Sequence, residues 1–518
     1  MTPPPPDTAR HTPDTARHTS DTTRHTSDTT GHSADTGSAP LGRASLGLIA
    51  PELRPAVDPR ELRPRIVHFG LGAFHRAHQA VYTEHASARS GEPWGIAAVA
   101  PRSARVVAAM RAQDCLYSVT ERRPDGPATR VVGSVVEALG MGPDAERVDA
   151  LLASPEVAVL TSTVTEKGHH RRPGTGELDT RAPEIAADLA ARESGDLTTA
   201  VGRIAAGLAA RMRSCGAPVT VVSCDNMAAN GAALATVVRG FVEASSWPDR
   251  RAVLDWMAAS VAFPSTVVDR IVPATTGADE HTAHAALGVR DAVPVVGEPY
   301  RQWVLEDSFA GPRPPWEAGG ALFVPDVVPY QLTKLRLLNG AHSALAYLGA
   351  AAGHTTVADV LAADWGERLV RALCSEAGPT LPAGGPDPAA YADDLVERFR
   401  NPGMRHLLQQ IGSDGSLKIP ERWFDVLRTA RSRTPVLELA LAAWANATRS
   451  AADGGQLFGT TDPAAAALAT CWQGTTSLQN TVRRLLRTLG AMDLAEDDTL
   501  VSGVAARLPA LRAGHIDF

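Results

Sequence analysis

The sequence is short of cysteine, basic charge and long apolar runs. Its five cysteines are scattered and form no Cys-x-x-Cys pair, which argues against a disulfide scaffold and for a reducing compartment. The 50 lysines and arginines are outnumbered by 57 aspartates and glutamates, so we expect no nucleic-acid partner. No apolar run approaches the roughly 18 residues of a membrane span, and the first residues lack a signal-peptide pattern. We therefore expect a cytoplasmic protein without a membrane partner.

A polar repeat occupies the start of the chain. Aspartate recurs every seven residues from Asp7 to Asp35, but the repeat has no large apolar residue that could form a coiled-coil seam. Because so polar a segment cannot offset the entropy lost on ordering, we expect residues 1–44 to be a disordered, low-complexity tail. Four histidines in it, which would also suit a weak metal-binding tract, are His11, His18, His25 and His32.

Strand and helix patterns alternate from residue 65. Four apolar, β-rich runs alternate with four helical patterns, at 65–69, 73–89, 94–100, 102–113, 157–165, 196–214, 218–224 and 227–245. Such alternation predicts a parallel sheet covered by helices on both faces. Beyond residue 330 the patterns are nearly all helical, at 330–350, 357–377, 389–399, 435–449, 463–489 and 497–512. The predicted fold class is α/β, with a Rossmann-like dinucleotide-binding domain over 45–320 and a mostly α-helical substrate and catalytic domain over 321–518.

The first strand leads directly into a glycine loop, made of Gly70, Leu71, Gly72, Ala73, Phe74, His75 and Arg76. A strand, a glycine turn and a helix form the context of a dinucleotide-binding fingerprint. Gly70 permits a tight turn, and Gly72 lets backbone N–H groups approach a pyrophosphate. His75 replaces the third glycine of the fingerprint, and a bare Gly-x-Gly also occurs in ordinary turns. We expect the whole loop to bind a cofactor, with Arg76 available for a phosphate.

The residues leave the choice between NAD and NADP open. An acidic residue about 20 positions after the glycine loop would bind the ribose hydroxyls of NAD. The second strand instead ends in Ala100-Pro101-Arg102-Ser103, without a carboxylate. Arg102 could hold the 2′-phosphate of NADP, or it could be a solvated residue at the start of a helix.

An amine, an amide and an imidazole lie within one helical segment, Lys334–Ser343. In an α-helix, His342 would lie about 80° and Asn339 about 140° around the axis from Lys334, so we expect one side of the helix to carry all three. A partly buried lysine can exchange a proton with a hydroxyl, and an amide can stabilise an alkoxide. Histidine can orient a substrate. The alternative is a solvated polar face.

Two predicted strands end in polar residues. Asp225 and Asn226 follow the run at 218–224, and Thr165 and Glu166 end the run at 157–165. In a parallel sheet these ends face the crevice where ligands bind. Asp225 and Asn226 could also cap the following helix, which would not exclude a second role.

These segments resemble the polyol-specific long-chain dehydrogenase/reductase family. The matching segments, in family order, are Ile66–Ala80, Thr163–Gly168, Ser223–Asn226, Phe263–Pro273, Glu298–Asp307, Lys334–Ser343 and Asp414–Lys418. The resemblance implies zinc-independent hydride transfer between NAD, or less readily NADP, and a secondary alcohol of a small polyol or sugar acid. It is also compatible with a monomer or small homo-oligomer. No metal is implied, so His281 and His284 are interpreted as a surface helix face.

The resemblance also implies roles for individual residues. Lys334 corresponds to the family's acid/base, and Asn226 and Asn339 correspond to asparagines that stabilise the oxyanion. The positions of His342 and Lys418 contact substrate. A sugar acid needs a cation for its carboxylate, and the candidates are Lys418, Arg301 and Arg405. Further substrate-binding candidates are Asp225 and Gln410.

Three features are more similar to fructuronate reductases than to mannitol 2-dehydrogenases. They are Lys167 within Thr-Glu-Lys-Gly, Gln410-Ile411 ahead of Asp414, and the overall pattern of 298–343. Two departures are His169, where tyrosine is common, and Ala228-Ala229 after Asn226. We expect conversion between D-fructuronate and D-mannonate. The alternatives are a D-fructose/D-mannitol enzyme and, in another class, a non-catalytic sugar-acid or nucleotide sensor.

Overall fold

The computed structural model describes residues 38–191, 197–451, 456–474 and 476–516. Most of the expected tail, up to residue 37, lies outside the described residues. Its last residues are packed, because Leu41 is fully buried and its N–H donates to the Arg290 carbonyl at 2.8 Å. The folded part therefore begins before residue 45, and the described residues from Ala39 onward form one compact unit. Within the described ranges no helix is long and apolar enough to cross a bilayer.

The described residues form twelve strands. In chain order they are β1 Arg63–Phe69, β2 Trp94–Ala100, β3 Tyr117–Arg123, β4 Gly126–Val132, β5 Val135–Gly140, β6 Val159–Ser162, β7 Val219–Ser223, β8 Val261–Ala262, β9 Thr266–Asp269, β10 Val295–Gly297, β11 Gln302–Glu306 and β12 Leu322–Val324.

The principal sheet is parallel throughout, in the order β5-β2-β1-β6-β7-β8. Counting only its own strands, this is the 3-2-1-4-5-6 order of a doubly wound dinucleotide-binding sheet. The predicted Rossmann-like fold is confirmed, and the four predicted runs supply β1, β2, β6 and β7. The order reverses between β1 and β6, so a ligand crevice is expected where these two strands end.

Two smaller sheets accompany the principal one. They have the orders β10-β3-β4 and β12-β11-β9. The antiparallel pair of β3 and β4 is a hairpin inserted between the second and third strands of the parallel sheet. The sequence analysis did not predict these strands.

The described residues also form twenty-two α-helices. They are α1 Ala73–Ala77, α2 Gln79–Ser90, α3 Ala104–Ala112, α4 Ala145–Ala153, α5 Pro183–Ala190, α6 Ala200–Ser214, α7 Asn230–Ala244, α8 Arg250–Ser260, α9 Gly277–Leu287, α10 Val328–Thr333, α11 Gly340–Ala351, α12 Val357–Ala362, α13 Gly366–Ala377, α14 Pro388–Arg400, α15 Leu408–Gly412, α16 Gly415–Ile419, α17 Asp425–Thr429, α18 Pro435–Ala447, α19 Ala465–Thr470, α20 Leu478–Thr488, α21 Met492–Glu496 and α22 Asp498–Arg512.

Shorter turns connect these helices. The 3-10 turns are Arg43–Leu48, Pro51–Leu53, Glu166–His169, Trp316–Gly319, Gly378–Thr380, Pro402–Met404 and Leu457–Gly459, and the two π-helical turns are Lys334–Asn339 and Pro420–Phe424.

The part of the chain after residue 325 is helix-rich, as predicted. Its core centres on α11 and α18, which lie side by side and are buried along almost their whole length. Three predicted helices are interrupted. The pattern at 357–377 contains α12 and α13, with extended backbone at Ala363 between them. The pattern at 73–89 breaks at His78, where φ is −121° and ψ is −87°, and the pattern at 463–489 contains the separate helices α19 and α20.

Candidate active site

The glycine loop lies at the reversal point of the parallel sheet. Gly70 has φ +122°, and a Cβ there would lie 2.5 Å from the carbonyl and hydroxyl oxygens of Thr163. Gly72 differs, because φ is −88° and the nearest atom to an added Cβ is the Gly70 carbonyl at 3.9 Å. Gly70 is thus required by the protein's own packing, while Gly72 leaves open space above the loop. This geometry fits the pyrophosphate of a dinucleotide.

Two loop residues point into the protein. His75 is fully buried and stacks on His68 with ring centroids 3.4 Å apart, and burial lowers the pKa of His75 well below its ordinary value. The Arg76 guanidinium lies over the Tyr117 ring and donates to the Val293 carbonyl. Arg76 is therefore engaged inside the fold, which does not support its expected contact with a phosphate.

The other cofactor candidates are distributed around the same crevice. Leu71 is buried, while Ala73 and Phe74 are half-buried at the start of α1. Arg102 is exposed just beyond the end of β2, and Thr165 is exposed beyond the end of β6.

Asp225 holds two strand ends together. Its carboxylate accepts hydrogen bonds from the Thr165 N–H at 2.8 Å, from His169 Nε2 at 2.9 Å and from the Ser223 hydroxyl at 3.2 Å. The capping alternative for Asp225 and Asn226 is wrong, because α7 begins later, with Ala229 at its N-cap. Asp225 instead fixes the loop that carries Thr165 and Glu166. The buried His169 is one of its partners.

A cleft of about 500 Å³ brings both halves of the sequence together. Its lining consists of Glu166, Arg171, Asp225, Asn226, Met227, Ala228, Thr266, Val267, Val268, Gln331, Lys334, Leu335, Asn339, Glu421, Arg422 and Asp425. Of the four residues predicted to act in catalysis, Lys334, Asn226 and Asn339 are among these and His342 is not. Asn226 and Lys334 are 108 positions apart in the chain.

Lys334 is held at the centre of this cleft. Its ammonium donates to Asn226 Oδ1 and to the Val268 carbonyl, both at 2.7 Å. Burial lowers the pKa of Lys334, and the nearby Asp269 carboxylate opposes part of that shift. A lysine with a lowered pKa can donate and accept a proton closer to neutral pH than a free lysine can.

The Lys334–Asn339 segment is π-helical, not α-helical. The angles expected for an α-helix therefore do not apply. In a π-helix the hydrogen bond joins residue i to residue i+5, so Lys334 and Asn339 are one turn apart along the same side. Both side chains line the cleft. Turns of this kind are frequently found at functional sites.

His342 and Lys418 do not belong to the described lining of the cleft. The His342 ring packs against Phe399 and His406, with centroids 4.5 and 4.9 Å away, and its Nε2 has no hydrogen-bond partner among the described residues. Burial lowers the pKa of His342 well below its ordinary value, so the ring is neutral. The Lys418 ammonium donates to the Ser413 carbonyl at 2.7 Å.

The remaining substrate candidates lie outside the described lining of the cleft. Arg301 Nη2 is 2.9 Å from His85 Nδ1, and the Arg301 guanidinium lies over the Tyr82 ring. Gln410 and Arg405 are exposed. His281 and His284 lie on α9, where His281 Nδ1 bonds to the Gly277 carbonyl at 2.6 Å.

A buried ionic group behind Lys334 was missed. Arg398 donates to Asp269 and to Glu298, both at 2.8 Å, and joins α14 to the strand-rich half of the protein. Burial alone would raise the pKa of Asp269, but Arg398 and then Lys334 hold it below its ordinary value. Asp269 and Glu298 lie within segments that match the family, whereas no sequence signal singles out Arg398.

Family comparisons agree with this architecture. Residues 64–318 match the mannitol dehydrogenase Rossmann domain, and residues 326–512 match the mannitol dehydrogenase C-terminal domain. The chain belongs to the mannitol dehydrogenase family. The sequence-based identification is confirmed, and the protein is an oxidoreductase of this family.

Individual relatives differ in their named substrates. The dehydrogenase is 39% identical over 425 residues to the D-mannonate oxidoreductase of Escherichia coli K12, covering 80% of this chain and 86% of the relative. It is 36% identical over 421 residues to a mannitol 2-dehydrogenase of Pyrenophora tritici-repentis, covering 79% and 73%. The solved Pseudomonas fluorescens mannitol 2-dehydrogenase, in a ternary complex with NAD and D-mannitol, is 33% identical. The two chains are covered to 91% and 96%, with a TM-score of 0.74. These relatives give no support to a sensor.

Proposed function

We propose that this dehydrogenase interconverts D-fructuronate and D-mannonate with NAD as cofactor. The observation that carries the chemistry is the Lys334 ammonium, bonded to Asn226 and buried so that its pKa is lowered. The 39% identity to a D-mannonate oxidoreductase supports the sugar acid as substrate. The solved relative in complex with NAD supports the choice of cofactor.

The cofactor would be held by the glycine loop. Gly70 shapes the turn, Gly72 leaves room for the pyrophosphate, and Arg102 lies beyond the next strand where the ribose is expected. When bound at this loop, the reduced form of NAD would supply the hydride for the ketone carbon. Because Arg102 would also suit a 2′-phosphate, NADPH is the comparison cofactor in the test.

Residues of the protein bind the ketone oxygen and transfer a proton to it. In the reductive direction the Lys334 ammonium donates a proton to that oxygen and becomes a neutral amine, and oxidation reverses the transfer. Asn226 accepts from Lys334 through Oδ1, which leaves its NH₂ group as a donor to the substrate oxygen. Asn339 offers a second amide on the same cleft. Two such donors stabilise the negative charge that develops on the oxygen.

The test compares substrates on one enzyme. NADH oxidation is followed by nicotinamide absorbance with D-fructuronate and D-fructose in parallel, and again with NADPH. We expect kcat/KM to be at least about tenfold higher for D-fructuronate, a transition-state preference of about 1.4 kcal/mol. A preference for D-fructose would instead make the protein a D-fructose/D-mannitol enzyme, and activity with neither would refute both substrates.

A further inference from the structure

A hexuronate brings a carboxylate that the cleft has to accommodate. This inference therefore rests on the proposed function. The three cations suggested by the sequence lie outside the cleft's described lining. The basic residues within that lining are Arg171, Lys334 and Arg422. Lys334 is engaged by Asn226 and Val268, and Arg171 Nε donates to the Gly176 carbonyl within its own loop.

Arg422 is anchored by neutral oxygens only. It lies on the second π-helical turn, Pro420–Phe424, and its Nη1 donates to the Ser343 hydroxyl at 2.6 Å and to the Asn339 carbonyl at 3.2 Å. Among the described residues no carboxylate forms an ion pair with it. Nε and Nη2 are thus left for a ligand. Burial lowers the pKa of Arg422, the direction expected of a guanidinium that lacks a close counter-ion.

The arrangement differs from that of Arg398, which has similar burial but two carboxylate partners. Four acidic residues also line the cleft. Glu166, Glu421 and Asp425 are exposed to solvent, whereas Arg422 is partly withdrawn from it. The fourth, Asp225, is buried, and its carboxylate is occupied by hydrogen bonds within the protein. Solvent screens the exposed charges more than that of Arg422. The deeper part of the cleft therefore favours an anion.

Arg422 is also placed correctly relative to the reacting group. It contacts the backbone of Asn339 and lies near enough to Lys334 to lower the pKa of that lysine. In D-fructuronate the ketone and the carboxylate lie near opposite ends of a six-carbon chain. We propose that Arg422 binds the substrate carboxylate and so determines the preference for a sugar acid over a neutral ketose. A guanidinium fork matches the two oxygens of a carboxylate better than a lysine does.

The experiment separates recognition of the carboxylate from support of Asn339. R422M removes both the charge and the forked guanidinium. R422K keeps the charge but loses the fork, so it still tests the proposal if R422M fails to fold. We expect both variants to lower kcat/KM for D-fructuronate, R422M by about 10- to 100-fold, mainly through KM. Activity with D-fructose is expected to change by less than about threefold. The matched control is R428M, six residues farther on, where an exposed arginine pairs with Asp493.

The outcomes distinguish a failure of the proposed function from a failure of the role assigned to Arg422. If the wild-type enzyme prefers D-fructose, the proposed function fails and this inference fails with it. If the wild type prefers D-fructuronate but R422M and R422K lose activity equally on both substrates, Arg422 only supports Asn339 and the assignment is refuted. If R422K keeps the wild-type preference for D-fructuronate, the binding of both carboxylate oxygens by the forked guanidinium is refuted as well. Calorimetric titration with D-mannonate provides a second readout, in which R422M is expected to bind at least tenfold more weakly than R428M.

Discussion

The two glycines of the cofactor loop permit a paired test, because the structure gives them different reasons to be glycine. At Gly70 the backbone is left-handed, with φ +122°, and a Cβ would lie 2.5 Å from Thr163 oxygens. At Gly72 the backbone is extended, and the nearest protein atom to an added Cβ is 3.9 Å away. An alanine at position 70 should therefore damage the fold, while an alanine at position 72 should affect only what approaches the loop.

The expected magnitudes follow from that geometry. G70A adds about 1–3 kcal/mol of backbone strain before the contact with Thr163 is counted. G72A should leave the free energy of unfolding unchanged or raise it by up to about 1 kcal/mol, because alanine restricts the unfolded chain. In the folded protein its methyl group would hold the pyrophosphate away from the backbone N–H groups. Loss of hydrogen bonds to a charged group is worth about 1.5–3 kcal/mol, or roughly 10- to 100-fold in Kd.

The assays are urea unfolding and NADH binding followed by nicotinamide fluorescence. We expect G72A to unfold like the wild type and to bind NADH at least tenfold more weakly. G70A should lose stability in the absence of any cofactor. Native NADH affinity in a folded G72A protein would refute the placement of the pyrophosphate on this loop.

Three further predictions concern the cleft. K334A should lower kcat by at least about 100-fold with little change in NADH binding, and near-native turnover would remove Lys334 from the mechanism. The Asp269 carboxylate raises the pKa of Lys334, so D269N should lower that pKa further. Because oxidation needs the neutral amine, the pH–rate curve for oxidation should shift toward acid. A shift toward alkaline pH would contradict this. R398M would leave two carboxylates buried without their cation, so we expect it to lower the free energy of unfolding in urea by about 3–5 kcal/mol. The control R371M, which removes an exposed ion pair, should lower it by at most about 1 kcal/mol.

Much of the fold follows from local patterns. The four strands predicted for the parallel sheet are buried, apolar runs bounded by turn residues, and such runs are readable without knowledge of the tertiary structure. The hairpin of β3 and β4 was missed because its strands are partly polar. The turn Pro124-Asp125-Gly126 between them is a signal that could have predicted it. At the interruption, His78 Nε2 bonds to the carbonyl of the distant Gln302, a contact that no local pattern could show.

Part of the candidate site was also predictable from the sequence and part was not. Asn226, Lys334 and Asn339 were predicted, and the structure brings all three to one cleft. For Arg76 and Arg301, the sequence showed a cation but not its direction, and each is engaged by protein groups elsewhere. Burial and partner identity decide whether an arginine is available to a ligand, and both arise from packing between segments far apart in the chain.

The two π-helical turns change the geometry that an α-helical projection gives for this site. In an α-helix Lys334 and Asn339 would lie about 140° apart, at opposite edges of the side expected to carry them. The π-turn Lys334–Asn339 brings the two residues closer to one line along the helix, and the second turn, Pro420–Phe424, places Arg422 against the Asn339 carbonyl. A spacing of five residues thus suits a π-turn, whereas side chains on one face of an α-helix are three or four residues apart.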